Sequence, residues 1–148
     1  MHRFVASTAY VGFIPRRLWG SDVGAGTFGA AVAWLVSAAL WSAPWWAQVL
    51  IFLAVLGLSL WSAAPFAADG DPGWICIDEV AGTLIAVIGL TGWPWLVAIV
   101  VARAADIFKV LPGVGPAERL PGAVGITMDD VVAGLYGLGA GWLTWWLL

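Results

Sequence analysis

Apolar residues run along this chain in long stretches, and short polar segments separate the stretches. The first extends from Gly24 to Trp41 and the second from Trp45 to about Phe66. Each is close to the roughly 20 residues that a membrane-spanning helix needs. Pro44, directly after the first stretch, indicates a break. The pattern therefore predicts two apolar helices joined by a tight turn.

The third apolar stretch, Trp74 to Ile107, is too long to cross a bilayer as one helix. Gly92 and Pro94 interrupt it with helix stop and start signals, so we predict two short helices there. A charged loop rich in glycine and proline follows, from about Lys109 to Thr127, and the last apolar stretch runs from Met128 to Leu148. The sequence thus predicts an all-α membrane helix bundle of about five apolar helices, some of them short.

Composition supports this membrane location. Hydrophobic residues make up 62% of the chain and charged residues 10%, against about 45–50% and 25% in soluble domains. A soluble fold of 148 residues could not hide so much apolar surface, because small domains leave much of their area in water. Many of the 12 tryptophans lie near the ends of the stretches, where an aromatic belt would sit. We therefore predict one membrane-embedded domain over residues 1–148.

The charged residues fall on one face of the predicted bundle. With five spans, residues 1–23, 67–79 and 108–127 share a face, and the turns near Ser42 and Gly92 lie opposite. All six basic and all nine acidic residues then lie in, or within about one helical turn of, that face. Lysine and arginine in short loops favour the cytoplasm, so we expect the face to be cytoplasmic. That rule does not explain the acidic residues, whose clustering indicates a polar site.

Two pairs of adjacent carboxylates stand at the mouths of apolar helices. Asp78 and Glu79 open one predicted helix, and Asp129 and Asp130 open another. Such charges are costly unless a cation or hydrogen-bond donors compensate for them, and the helix macrodipole comfortably accounts for only one carboxylate of a pair. Hard divalent cations take carboxylate oxygens, often from several segments, together with substrate phosphate. We therefore predict that these four carboxylates hold a hard divalent cation such as Mg²⁺.

Between the two acidic pairs, Arg103, Asp106 and Lys109 recur at a spacing of three, which places them on one helix face. Arginine and lysine suit phosphate oxygens, so both are candidate phosphate ligands, while Asp106 would orient one of them, bind metal or activate water. A simple i, i+3 salt bridge explains the spacing equally well. The glycine-rich segment Gly24–Gly29 offers backbone amides to phosphate, with Thr27 as a further phosphate ligand or a plain N-cap.

Several classes of function are not expected. The net charge of −3 makes nucleic acid an unsuitable partner. The single cysteine, Cys76, excludes an internal disulfide framework, and the acidic pair beside it would raise its pKa and weaken it as a nucleophile. His2, the only histidine, stands at the chain end, so we expect no histidine-based phosphatase chemistry. The N-terminal segment has no continuous apolar stretch before Arg16 and does not resemble a cleaved signal peptide.

Four segments carry a resemblance to a known family: Gly26–Gly29, Asp71-Pro72 with Ile77–Gly82, Arg103–Lys109 with Pro112, and Gly125–Gly134. In this order they resemble the phosphatidylglycerophosphatase A family over most of the chain. The first segment is similar to that family's Pro-Gly-Thr-x-Gly-Ser element, with Ala25 and Ala30 in place of the proline and serine. By itself, Asp71 before Pro72 fits a turn or cap.

The resemblance implies a magnesium-dependent phosphatase that converts phosphatidylglycerophosphate to phosphatidylglycerol in a bacterial-type inner membrane, with membrane lipids around it. The predicted site comprises catalytic Asp106, Asp129, Asp130 and Lys109, phosphate ligands Arg103, Lys109 and Thr27, and metal ligands Asp78, Glu79, Asp129 and Asp130. Direct attack by water and an aspartyl-phosphate both remain open. The alternatives are another lipid-headgroup phosphotransferase or phosphatase, and a small non-enzymatic carrier. A carrier would place charges near the bilayer middle.

Overall fold

A computed structural model describes residues 1–69 and 72–148, and every regular element in this part of the chain is helical. The all-α prediction is therefore confirmed for these residues, while Asp71 lies outside them. The N-terminal half contains α1 (His2–Ala6), a 3₁₀ turn at Val11–Phe13, α2 (Ile14–Trp19), α3 (Ala25–Ala39) and α4 (Trp45–Ala63), which a 3₁₀ segment extends over Ala64–Asp69. The C-terminal half contains α5 (Ile77–Ala86), α6 (Gly92–Phe108), α7 (Val114–Glu118) and α8 (Ala123–Leu147).

The helix breaks fall at proline and glycine, as predicted. Pro44 has an extended backbone, with ψ of 149°, and α4 begins directly after it. The stretch from Trp74 to Ile107 divides into two helices as predicted: α5 ends at Ala86 and α6 starts at Gly92. Gly89 and Gly92 have φ values of 73° and 63°, which glycine adopts without the steric cost of a side chain. Two helices that run in opposite directions result.

The prediction of about five spans is not confirmed by the lengths and composition of the helices. Among the described residues, only Trp45–Ala68 is long and apolar enough to cross a membrane by length and composition. Helix α3 has 15 residues and α5 has 10, which correspond to about 22 and 15 Å at 1.5 Å per residue. Helix α5 begins later than predicted because Cys76 donates its N–H to the Ala6 carbonyl, at 3.0 Å, instead of joining a helix.

Glycines of α8 allow it to pack closely along α5 and α6. Gly134 lies against the backbone of Gly82 in α5. Gly137 lies against α6, where an added Cβ would be 2.7 Å from Ala102 Cβ. Small residues at such crossings let helix backbones approach each other. Helix α8 runs parallel to α5 and antiparallel to α6, so the start of α5, the end of α6 and the start of α8 meet.

The uncharged turns meet at the other end of the bundle. The Gln48 side chain donates to the carbonyls of Leu40 and Ala43, at 3.2 and 3.0 Å, and accepts the Gly89 N–H at 2.8 Å. The Trp142 indole donates to the Ile88 carbonyl at 3.2 Å. The turns after α3 and α5 are therefore joined at the end opposite the charged helix termini.

Candidate active site

The three helix termini at the charged end bring distant segments of the chain together. The carboxylate oxygens of Asp106, Asp129 and Asp130 approach within 4.8 Å of one another. Asp78 is close enough to Asp130 for their charges to interact, and Glu79 interacts in the same way with Asp130 and Arg103. The structure thus collects the predicted residues of α5, α6 and α8: Asp78, Glu79, Arg103, Asp106, Lys109, Asp129 and Asp130.

The aspartate pair of α8 lies deeper in its helix than predicted. We expected the helix to open near Met128, but it begins at Ala123, so Asp129 and Asp130 stand nearly two turns inside it. The early start is possible because Gly125 packs on the Leu120 and Glu118 carbonyls, where a side chain would not fit. The helix macrodipole acts mainly within the first turn. It therefore does not compensate these two carboxylates, which are only 6% and 7% exposed.

Arg103 links α6 to α8. Its Nη1 donates to Asp106 Oδ2 at 2.7 Å and lies 3.9 Å from Asp130 Oδ1. The i, i+3 salt bridge considered from the spacing is therefore present. Because the same guanidinium also approaches α8, it belongs to the cluster and is not an isolated helix-surface pair.

Lys109 is the C-cap of α6, with φ of 50°. Its side chain reaches the carboxylates of α8, as those of Arg103 and Asp106 do. Its ammonium donates to Asp129 Oδ2 at 2.8 Å and lies 2.7 Å from Glu118 Oε1. Burial lowers the pKa of Lys109, but the hydrogen bonds and charges of Asp129 and Glu118 outweigh burial and raise the pKa above its ordinary value. Lys109 therefore remains a cation at neutral pH.

Glu118 is a site residue that was not predicted from the sequence. It is the last residue of α7, a helix within the segment that we predicted as an irregular loop. The one available signal was its acidic character in a segment that returns to the charged face, and this signal does not separate Glu118 from other loop charges.

The glycine-rich start of α3 contacts the acidic cluster through its backbone. Gly26 packs directly against the Glu79 carboxylate, and an added Cβ would also be 3.4 Å from Arg103 Nη2. Thr27 is exposed, and Gly24 holds the N-cap position, so the alternative of a Thr27 N-cap is wrong. The phosphate-binding role of Thr27 stays a prediction. The residue that joins this element to the site is Gly26.

The donor set fits a hard divalent cation. Glu79 Oε2 and Asp129 Oδ1 are buried and have no hydrogen-bond partner within the described part of the chain. Buried carboxylate oxygens are costly without a donor or a cation. Among the described residues, the cluster also contains more acidic than basic groups: six carboxyl groups (Asp78, Glu79, Asp106, Glu118, Asp129, Asp130) against two basic groups (Arg103, Lys109). Mg²⁺ prefers such carboxylate oxygens.

Cys76 lies just before α5 and does not provide a nucleophile. Burial raises the pKa of its thiol to about 11, despite an opposing hydrogen bond with Thr8, and the charge of Asp78 acts in the same direction as burial. The predicted direction is therefore confirmed. The main cause is burial, with the neighbouring carboxylate as a smaller contribution.

Comparison with known proteins identifies relatives over most of the chain. The family model described as phosphatidylglycerophosphatase A matches residues 4–145, which include every site residue above. A protein of Bacteroides thetaiotaomicron, provisionally named a phosphatidylinositol-3-phosphatase, is 33% identical over 123 residues, or 75% of this chain and 77% of the relative. No solved structure matches.

Proposed function

The chain belongs to the phosphatidylglycerophosphatase A family and is a phosphatase, and on this basis we propose that it hydrolyses phosphatidylglycerophosphate to phosphatidylglycerol and inorganic phosphate. One observation supports the proposal most: carboxylates and two cations from separate segments of the chain form a single cluster, in which Asp129 and Asp130 are buried. A non-enzymatic carrier, one of the alternatives, does not agree with the family.

Mg²⁺ is the proposed cofactor. Asp78, Glu79, Asp129 and Asp130 would hold it, and Asp106 is near enough to Asp129 and Asp130 to share in binding. The excess of carboxylates and the unpartnered oxygens of Glu79 and Asp129 support this assignment. When bound, the ion would neutralise charge on the phosphate and activate water toward it.

The two basic side chains are the proposed phosphate ligands. Arg103 uses Nη1 toward Asp106 and Asp130, and its guanidinium carries further N–H donors that suit phosphate oxygens. Asp106 would hold that guanidinium in its orientation. Lys109 would contribute a point charge, and Thr27 with the start of α3 would face the same headgroup.

The carboxylates of Asp106, Asp129 and Asp130 are the proposed catalytic groups. One of them would accept the proton of the attacking water, or would itself attack phosphorus before water releases the phosphate. Asp129 combines the two features that such a group needs here. One of its oxygens is held by Lys109, and the other is buried without a partner in the described residues.

We also propose that the bundle crosses a bacterial-type inner membrane several times, with the charged end toward the cytoplasm. The family is membrane-associated, and α4 with its 3₁₀ extension is long enough to span. Large apolar side chains are exposed on the helices, among them Leu35, Trp45, Leu53 and Trp146. Such surfaces suit lipid and would hold the acyl chains of the substrate beside the site.

The name of the Bacteroides relative favours phosphatidylinositol 3-phosphate as a second candidate substrate. Both lipids carry a phosphate monoester on a polyol headgroup, so the same cations and carboxylates could serve either one. They differ in the size of the headgroup, and a direct comparison of the two lipids therefore separates the candidates.

The test is phosphate release from each lipid by detergent-purified protein, with Mg²⁺ or with a chelator. We expect release from phosphatidylglycerophosphate only with Mg²⁺. We expect Asp129→Asn and Lys109→Ala to reduce the rate about 100-fold, the scale on which a preorganised electrostatic group contributes. Asp22→Asn and Arg17→Ala are charge-matched controls at residues that do not belong to the cluster. Near-normal rates in both site variants would refute the assigned roles. Faster phosphate release from phosphatidylinositol 3-phosphate would make that lipid the assigned substrate instead of phosphatidylglycerophosphate.

A further inference from the structure

Lys109 is held by two carboxylates whose surroundings differ. Its ammonium lies 2.8 Å from Asp129 Oδ2 and 2.7 Å from Glu118 Oε1. The Asp129 side chain is 9% exposed, whereas that of Glu118 is 49% exposed. Water screens the second pair far more than the first, and exposed pairs contribute little to stability. The pair with Glu118 is therefore the one that breaks at low cost.

The backbone of Glu118 is fixed even though its side chain is exposed. Val114, at the start of α7, is fully buried, and Ala117 is 7% exposed. Gly125 of α8 packs against the Glu118 carbonyl so closely that a Cβ added at Gly125 would be 2.8 Å from the carbonyl oxygen. A side-chain rotation can therefore move the carboxylate away from Lys109 without moving α7.

We propose that Glu118 is a displaceable partner of Lys109, which holds the lysine ammonium before substrate binds and gives it up to the incoming phosphate. The inference rests on the proposed function, in which Lys109 binds the substrate phosphate. Glu118 cannot stay beside Lys109 without repelling the phosphate dianion, and its exposed position lets water take over its solvation. Asp129 stays paired and keeps Lys109 in place. Glu118 thus acts through Lys109, as a positioning residue that competes with the ligand.

The inference predicts that Glu118→Gln tightens phosphate binding. KM for the lipid and the inhibition constant for inorganic phosphate should each fall about 2- to 5-fold, the range that corresponds to one exposed ion pair. The difference from the natural protein should shrink as salt is raised, because salt screens the exposed pair. Glu118→Asp, which keeps a carboxylate, should remain closer to the natural protein. Asp22→Asn, which removes the carboxylate of the Arg16–Asp22 pair, is the matched control.

The measurements are steady-state kinetics and calorimetric titration of inorganic phosphate into detergent-purified protein with Mg²⁺. Unchanged or weaker phosphate binding by Glu118→Gln, or a loss confined to kcat, would overturn the inference and leave the phosphatase proposal standing. If the natural protein released no phosphate from the lipid while Glu118→Gln still bound inorganic phosphate more tightly, the substrate assignment would fail and the inference would hold. An absence of both effects would remove both.

Discussion

At the scale of single residues, the contact between Gly26 and Glu79 determines how closely α3 and α5 approach each other at the charged end. The glycine has no side chain, and this allows the carboxylate of α5 to lie against α3. From the sequence we expected this element to bind phosphate through its backbone amides and Thr27, and the contact of Gly26 with Glu79 was not expected. Only tertiary packing shows that the missing side chain makes the contact possible.

The other site residues could be predicted to differing degrees. Four carboxylates were identifiable from the sequence because paired charges on apolar helices cost free energy unless a cation or hydrogen-bond donors compensate for them. They are those of Asp78, Glu79, Asp129 and Asp130. The spacing of Arg103, Asp106 and Lys109 indicated one shared face, and all three side chains do approach the carboxylates of α8. The pairing of Lys109 with Glu118 was not identifiable, because it depends on how the segment that contains α7 folds. Residue type and spacing thus predicted most members of the cluster but not every pair.

The environment of Cys76 leads to a prediction about thiol reactivity. With a pKa of about 11, the thiol is almost entirely protonated near pH 7, and it is also buried. We expect a maleimide to label the folded protein at least about 100-fold more slowly than an exposed cysteine, with the rate rising as the pH approaches 11. Labelling kinetics with mass-spectrometric detection would measure this. Ser42→Cys, in an exposed turn, provides the fast reference.

A comparable labelling rate at Cys76 and at residue 42 would contradict this description of the segment before α5. The same experiment bears on mechanism, because an unreactive thiol has no part in the proposed hydrolysis. Cys76→Ala should therefore retain phosphatase activity.

At the scale of the helices, α8 offers a matched pair of glycines two residues apart. Gly137 packs against α6, while nothing lies within 4 Å of the position of an added Cβ at Gly139. Gly137→Ala should cost about 1–3 kcal/mol through overpacking. Gly139→Ala should be neutral or stabilising by up to about 1 kcal/mol, because alanine is the better helix former. Thermal unfolding in detergent, followed by circular dichroism, would compare them. Equal shifts in Tm would contradict the close packing of α8 on α6.

Helix boundaries were predictable where local signals decide them. Gly92 and Pro94 predicted the division between α5 and α6, and Pro44 predicted the start of α4. The start of α8 was missed because it depends on Gly125 packing against the preceding loop, a contact between segments that no local pattern records. The late start of α5 has the same origin, since Cys76 is bonded to the N-terminal segment.

For the whole molecule, the separation of charged and uncharged ends predicts a membrane orientation. In a Cys76→Ala background, a cysteine at Ser42 should react with a membrane-impermeant maleimide added outside intact bacterial cells. A cysteine at Pro121, in the exposed loop before α8, should react only in inverted vesicles, because basic loops favour the cytoplasm. Labelling of both positions from one side would refute the proposed orientation.

The surplus of carboxylates over basic groups also affects how the fold holds together. Without a bound cation, burying the carboxyl groups of α5 and α8 side by side costs free energy, because each must either stay charged away from water or take up a proton. This cost falls where Gly82 and Gly134 hold the two helices in contact. Neutralising substitutions among these acids should favour the folded state in a chelator while they abolish turnover, which is the usual conflict between a strained site and a robust fold. Natural selection for hydrolysis would then have kept this end of the protein below its attainable stability.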